Sequence, residues 1–316
     1  MISFVAQTQG LHLVRAQTTG AIQEALLNDR PALIFWNTDD ERLGPVQFEA
    51  LSNAKFPSSR VFALTQAEIS DDSWLGVILS EQSRQGIPPP FSHQIWRRYM
   101  EPMPFLIARL ASFALQSEKP SPSSAPALIR FFADGSWNQK LQIVRSSHKK
   151  AAVGALEKVL TEKNVPKRLA TLVATAADEL LLNAIYEAPV ARGTAPGAKE
   201  LRYQRVFDRN KDLELNDREK VSLVLAASPT HMGVMVRDQW GSIPKEALEK
   251  ILWAGPSASD EKAPSRLGLS SVAGAGISLH VHCVPEILTE VTLLIPICST
   301  FRDFRSGFRF SSVVRP

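Results

Sequence analysis

The stretch "QSEKPSPSSAP", residues 116–126, divides the chain. Proline removes backbone donors and serine competes for backbone hydrogen bonds, so such a run disfavours helix and sheet and feeds no core. What lies on either side must bury its own apolar surface. At 316 residues the chain has room for two domains. The expected organisation is an α/β domain over 1–116, a linker over 117–126, a second domain over 127–300 and a basic tail over 301–316.

Composition narrows the class. Apolar residues make up 44% and charged residues 22%. No apolar run in the sequence approaches the ~20 residues of a bilayer span. The N-terminus, "MISFVAQTQGLHLVR", lacks the basic head and apolar core of a signal peptide. Cys283 and Cys298 are too few for a disulfide framework or a zinc site. A reducing cytoplasm is the expectation. Residues 1–120 hold 10 Lys/Arg and 12 Asp/Glu, and the remainder 26 and 20. The mildly basic second half suits an anionic ligand or a solvated surface. No nucleic-acid motif accompanies it, so nucleic acid is not an expected partner.

The first half alternates strand and helix signals, the pattern of a three-layer α/β fold. "ISFVAQ", "PALIFWN" and "VFALT" read as strands, and "TTGAIQEALLNDR" as an amphipathic helix. "WLGVILS" fits strand or helix. "WRRYMEPMPFLIARLASFALQ" reads as a helix broken near Pro102 and Pro104. In outline this half is similar to the receiver domains of two-component signalling. Asn37 ends the strand where a phosphoacceptor aspartate would stand, while Thr65 is kept and Asp39 and Asp40 come late. Asn forms no acyl phosphate, so the resemblance implies a pseudo-receiver that docks partners. The alternative is an unrelated small α/β domain.

The second half opens with "ALIRFFADGSWNQKLQIV", read as strand, turn, strand. A helix follows, then "PKRLATLVATAADELLLNAIYEA", a second helix with Pro166 at its start. Its apolar positions 169, 172, 173, 176, 180 and 184 have helical spacing. "KVSLVLAAS" and "MGVMVRD" flank a tight turn. "IPKEALEKILW" is a short helix, and 254–266 is a polar, Pro-containing loop. "LGLSSVAGAGI" begins a helix, and "LHVHCV" and "ILTEVTLLIPI" close with a strand pair.

Within the apolar helix, Glu179 and Asn183 lie four residues apart and so share a face. A carboxylate and an amide oxygen at that spacing suit hydrated Mg²⁺, which takes oxygen ligands and keeps its waters. A solvent-facing polar edge is the plainer alternative. Asp238 ends an apolar strand before a turn containing Gly241. A buried carboxylate needs a partner, and the exocyclic amine of adenine is one. Gly268 stands at the start of a helix, where free N–H groups suit phosphate. Thr289 lies on the strand expected to return beneath the site.

In this order, residues 127–300 resemble the GHKL, or Bergerat-fold, ATPase superfamily, which includes histidine-kinase ATP-binding domains and anti-sigma-factor serine kinases. Glu179 and Asn183 match its N box, Asp238 and Gly241 its first glycine box, Leu267, Gly268 and Leu269 the core of its second, and Thr289 the threonine of its last strand. The resemblance implies a two-layer sandwich, with a mixed sheet covered on one face by helices and ATP held beneath a lid at 254–266. It implies that Asn183 ligates Mg²⁺, Glu179 orients the attacking group, Asp238 accepts from adenine and the backbone around Gly268 holds phosphate. Two departures stand out. Trp240 and Ser242 flank Gly241, and Pro264 and Arg266 replace glycines of the second box. Arg266 is expected to contact the triphosphate itself.

The implied function is an ATP-binding signalling protein acting as a protein kinase of the anti-sigma type or as a regulatory ATPase, with a protein partner and a homodimer left open. The alternative is a degenerate domain serving as an interaction module. A DNA-linked ATPase of gyrase or repair type ranks last. His148 is expected to start a surface helix with Ser146, Lys149 and Lys150, not to accept phosphate. His280 and His282 share a strand face from which Cys283 is excluded, so they form no complete metal set. Trp137 is expected in a core or domain interface.

Overall fold

The computed structural model describes residues 12–29, 31–38, 40, 61–65, 91, 93–96, 125–132, 137–191, 212–244, 247–248, 272, 277–306 and 309–314. Helices and sheets mix in an α/β protein. The chain divides into two compact units near residue 118, and 308–314 belongs to the first unit. The strands "ISFVAQ" and "WLGVILS", the helix around Pro102 and Pro104, and the loop 254–266 lie outside the described residues.

In the first unit, α1 (Thr19–Glu24) is capped by Thr18, whose Oγ1 accepts from the Ala21 N–H at 3.2 Å. It runs into a π-helical turn over Ala25–Asp29. Strands β1 (Ile34–Asn37), β2 (Val61–Thr65) and β3 (His93–Trp96) pair in parallel. Val61, Phe62, Ala63 and Leu64 are all buried, as the continuous apolar run requires in a parallel strand. Asn37 and Thr65 come to the same ends of neighbouring strands. Strand β3 is not announced by the sequence pattern. The basic tail is corrected. It holds a helix (Phe301–Ser306) and a strand, β9 (Arg309–Val314), that pairs antiparallel with β3.

In the second unit the strands are β4 (Trp137–Ile143), β5 (Val221–Ala227), β6 (His231–Asp238), β7 (Ser278–Val284) and β8 (Leu288–Pro296). They lie in the order β7-β8-β6-β5-β4. Every described pair among them is antiparallel, where the resemblance implied a mixed sheet. Short turns at 228–230 and 285–287 make hairpins of β5–β6 and β7–β8, and a hairpin can only be antiparallel.

"ALIRFF" is not a strand but a helix, α2 (Ala127–Phe131). Helical spacing groups Leu128, Phe131 and Phe132, all buried, on one side. A strand would have aligned Arg130 with Leu128 and Phe132. The other helices are α3 (His148–Glu162), α4 (Lys167–Leu182), α5 (Ala188–Ala191) and α6 (Phe301–Ser306). Helix α4 buries Leu169, Val173, Ala176 and Leu180, with Leu172 half-buried. By length and composition alone Lys167–Glu187 could cross a membrane, yet 61% of its apolar window is buried within the protein. It is a core helix.

The register fixes which helix covers which face. Trp137, Ala227 and Met232 share one row. The Lys163 ammonium at the end of α3 lies 5.1 Å from the Trp137 ring centroid. Helix α3 therefore covers the face of Met232, Val234, Val236 and Asp238. Helix α4 packs on both α3 and β6 and lies on that same face. Helix α2 lies on the other face, because a side chain at Gly233 would meet Leu128 at 2.3 Å and Phe132 at 2.7 Å. Two expectations change with this arrangement. Both faces of the sheet carry helices. Trp137 is 37% exposed on its strand, which removes the core alternative of its two expected placements. Gly154, by contrast, sits exposed in mid-α3 with nothing within 4 Å of a built Cβ. Gly154→Ala should stabilise the fold by about 0.5–1 kcal/mol, read by urea unfolding.

Candidate functional site

The end of β6 carries the best-defined site. Asp238 is buried at 7% exposure and stands directly opposite Thr289 of β8. Cys283 of β7 is next in the same row. The Trp240 N–H donates to Asp238 Oδ1 at 2.8 Å. Burial pushes the Asp238 carboxyl up to about 6, against the opposing pull of the Trp240 amide, the Thr289 side chain and the Gly241 amide. The Thr289 side chain favours the carboxylate, yet its hydroxyl makes no hydrogen bond of ordinary geometry. Its Oγ1 is buried without a partner. A buried hydroxyl and a buried carboxylate side by side, the hydroxyl unsatisfied, suit a ligand edge that both donates and accepts.

The turn after Asp238 is rigid. Gly241 has φ +59, and a Cβ there would stand 2.0 Å from the Val284 carbonyl oxygen. Its own carbonyl accepts from the Glu286 N–H at 3.3 Å, tying the turn to the β7–β8 hairpin. Trp240 is half-buried, with the Arg218 guanidinium 5.1 Å from its ring centroid and its Nε1 buried without a partner.

Glu179 and Asn183 lie on the helix that packs on β6, on the same sheet face as Asp238 and Thr289. Both are half-buried. Upstream on the outer side of α4, positions 168, 171 and 175 are exposed, so burial of the polar edge increases toward the pair. At Asn183 the helix loosens into a π-helical turn, Asn183–Glu187, in which the Ala188 N–H bonds to the Asn183 carbonyl. Such turns recur at functional sites. Next to Glu179, Asp178 is engaged by Lys149 of α3. The sequence offered no sign of that cross-helix ion pair.

Arg266, Leu267, Gly268 and Leu269 lie outside the described residues. His148 begins α3 at the surface, while Ser146 is buried, its Oγ accepting from the Leu213 N–H at 2.8 Å. Among the described residues no group of three or more His, Cys, Asp and Glu could hold a metal. Neither comparison with protein-family models nor comparison with curated proteins finds a match for this chain.

Proposed function

We propose that residues 127–300 bind Mg-ATP in a Bergerat-like, GHKL-type site and serve cytoplasmic bacterial signalling, as a protein kinase of the anti-sigma type or a regulatory ATPase. One observation carries this reading: Asp238 and the unpartnered Thr289 hydroxyl stand side by side on the face that also carries the Glu179–Asn183 helix. The Asp238 carboxylate would accept from the adenine amine, and the Thr289 hydroxyl would donate to a ring nitrogen. Asn183 would hold Mg²⁺ through its amide oxygen, the remaining ligands being phosphate oxygens and water, so no preformed cluster is needed. The bound ion would offset charge developing on the transferred phosphoryl group. Glu179 would orient a partner's hydroxyl and take its proton. Arg266 and the backbone around Gly268 would hold the phosphates. The first unit, with Asn37 at the end of β1, would dock partners as a pseudo-receiver.

A second reading has its own support. The Trp240 ring already has a cation, Arg218, against it, and it occupies a turn where the family has small residues. This favours a degenerate domain used for protein contacts. A titration with a fluorescent ATP analogue in Mg²⁺ separates the two. The first reading expects binding, and at least about a tenfold loss, ~1.4 kcal/mol, in both Asn183→Ala and Asp238→Ala. No binding at millimolar nucleotide would leave the contact-module reading.

A further inference from the structure

The sheet of the second unit has two unlike faces. The face under α3 and α4 carries Leu223, Leu225, Val234, Val236, Val291 and Leu293. The opposite face is mixed: Ser222, Arg237, Glu290, Thr292, His280 and His282 share it with Val224, Ala226, Met235 and Leu294. A face with so many polar positions is ordinarily the wetted side of an antiparallel sheet. Here it is buried, with Glu290 at 1%, Thr292 at 2%, His280 at 4% and Arg237 at 6% exposure.

Burial leaves this face incompletely satisfied. Arg237 and Glu290 are register partners, with Arg237 Nη1 3.4 Å from Glu290 Oε1. The same Oε1 accepts from the Ala127 N–H at the start of α2, at 3.3 Å. Glu290 Oε2 makes no hydrogen bond, and His282 Nδ1 stands 3.6 Å from it. Thr292 Oγ1 has no partner. Charges and orphaned oxygens of this kind regain hydration when uncovered, so burying them offsets part of the apolar gain.

Among the described residues, helix α2 packs on β5 and β6 from this face. Helix α2 has five residues, and Pro126 at its N-cap supplies no side-chain hydrogen bond. A helix this short has no stability of its own. Leu128 and Phe132 pack over Gly233, Ala127 and Phe131 are buried as well, and the Ala127 N–H donates to Glu290. We propose that α2 is a detachable latch, seated on this face by Glu290 and Gly233, that comes off while the sheet stays folded. Its row, Arg237, Glu290 and His282, is adjacent in sequence on each strand to Asp238, Thr289 and Cys283 of the opposite face. Movement of the latch therefore reaches the neighbouring strand positions directly.

Hydrogen exchange on the full chain tests this, with wild type, Glu290→Gln and Gly233→Ala compared at one pH. In wild type, amides of 129–132 should exchange about a hundredfold faster than those of β5, β6 and β8, through a local opening. Gly233→Ala, which pushes Leu128 outward, should speed 129–132 by about tenfold while leaving the strands at their own rate, and Glu290→Gln, which also leaves the buried Arg237 without its counter-charge, should speed 129–132 by at least as much. Exchange of 129–132 in step with the strands in wild type would overturn the latch. So would folded variants that leave 129–132 at the wild-type rate. If either variant fails to fold, the wild-type comparison decides alone. A protein that binds no nucleotide but shows local opening of 129–132 would lose the ATP reading and keep the latch.

Discussion

Asp238→Asn is expected to stabilise the fold at about pH 7.5 while weakening nucleotide binding. The Asp238 carboxyl is raised from 3.8 to about 6 by burial. A raised carboxyl pKa means that the folded state favours the protonated form. The associated stability is present below 3.8 and is lost as pH rises through 6, so above that value the protein carries the full cost of a buried carboxylate. That cost is on the order of 3 kcal/mol. Asn keeps an oxygen for the Trp240 N–H but brings an NH₂ group that also needs a partner, which trims the gain to about 1–2 kcal/mol. Urea unfolding should show this gain at about pH 7.5 and its disappearance near pH 4. A variant less stable than wild type at the higher pH, or a difference that ignores pH, would sink the argument. Ligand affinity should move the opposite way, by about tenfold, because a charge-assisted hydrogen bond becomes a neutral one. In wild type, affinity should fall as pH drops through 6 and Asp238 becomes protonated. Stability and binding moving in opposite directions are what a site residue shows and a structural residue does not.

Gly241→Ala is expected to be among the most damaging single-methyl additions in the second unit. Two penalties combine. At φ +59 an alanine costs about 1 kcal/mol. Its Cβ would also lie 2.0 Å from the Val284 oxygen and 2.7 Å from the Glu286 nitrogen, both backbone atoms of the β7–β8 hairpin. Neither can swing away as a side chain can. Relief requires moving the turn off the hairpin, which breaks the Glu286–Gly241 hydrogen bond and disturbs the Trp240 amide that donates to Asp238. The combined loss should be about 3 kcal/mol or more, seen as a lower urea midpoint with an unchanged slope. A variant within about 0.5 kcal/mol of wild type would show that the turn adapts freely.

Much of the architecture was legible because it is local. The 3.6-residue period of Leu169, Val173, Ala176 and Leu180 specifies a helix with one buried side. The apolar runs of β5, β6, β7 and β8 specify strands. One missed element had a readable signal. Thr300 and Asp303 satisfy each other's N–H groups at 3.0 and 3.1 Å, a capping box that announces α6 in what was expected to be a tail. For α2, both readings were available in "ALIRFF", and helical spacing was the one that put Leu128, Phe131 and Phe132 on one side.

What remained was decided between elements distant in sequence. Asp238 and Thr289 could each be named from the chain, but their direct opposition depends on β6 pairing with β8 in a register that no local pattern encodes. A shift of one residue would move Thr289 to the opposite face. The strand β9 is short, and its place beside β3 exists only because strands some 215 residues apart meet. Whether a polar strand face is wet or covered is likewise invisible in its own residues. The sequence of β8 sets Glu290 and Thr292 two apart within an apolar run and by itself determined only that its two faces differ. The tertiary structure alone decided that Glu290 and Thr292 are buried, with the start of α2 against Glu290, because burial belongs to what packs on a surface and not to the surface itself.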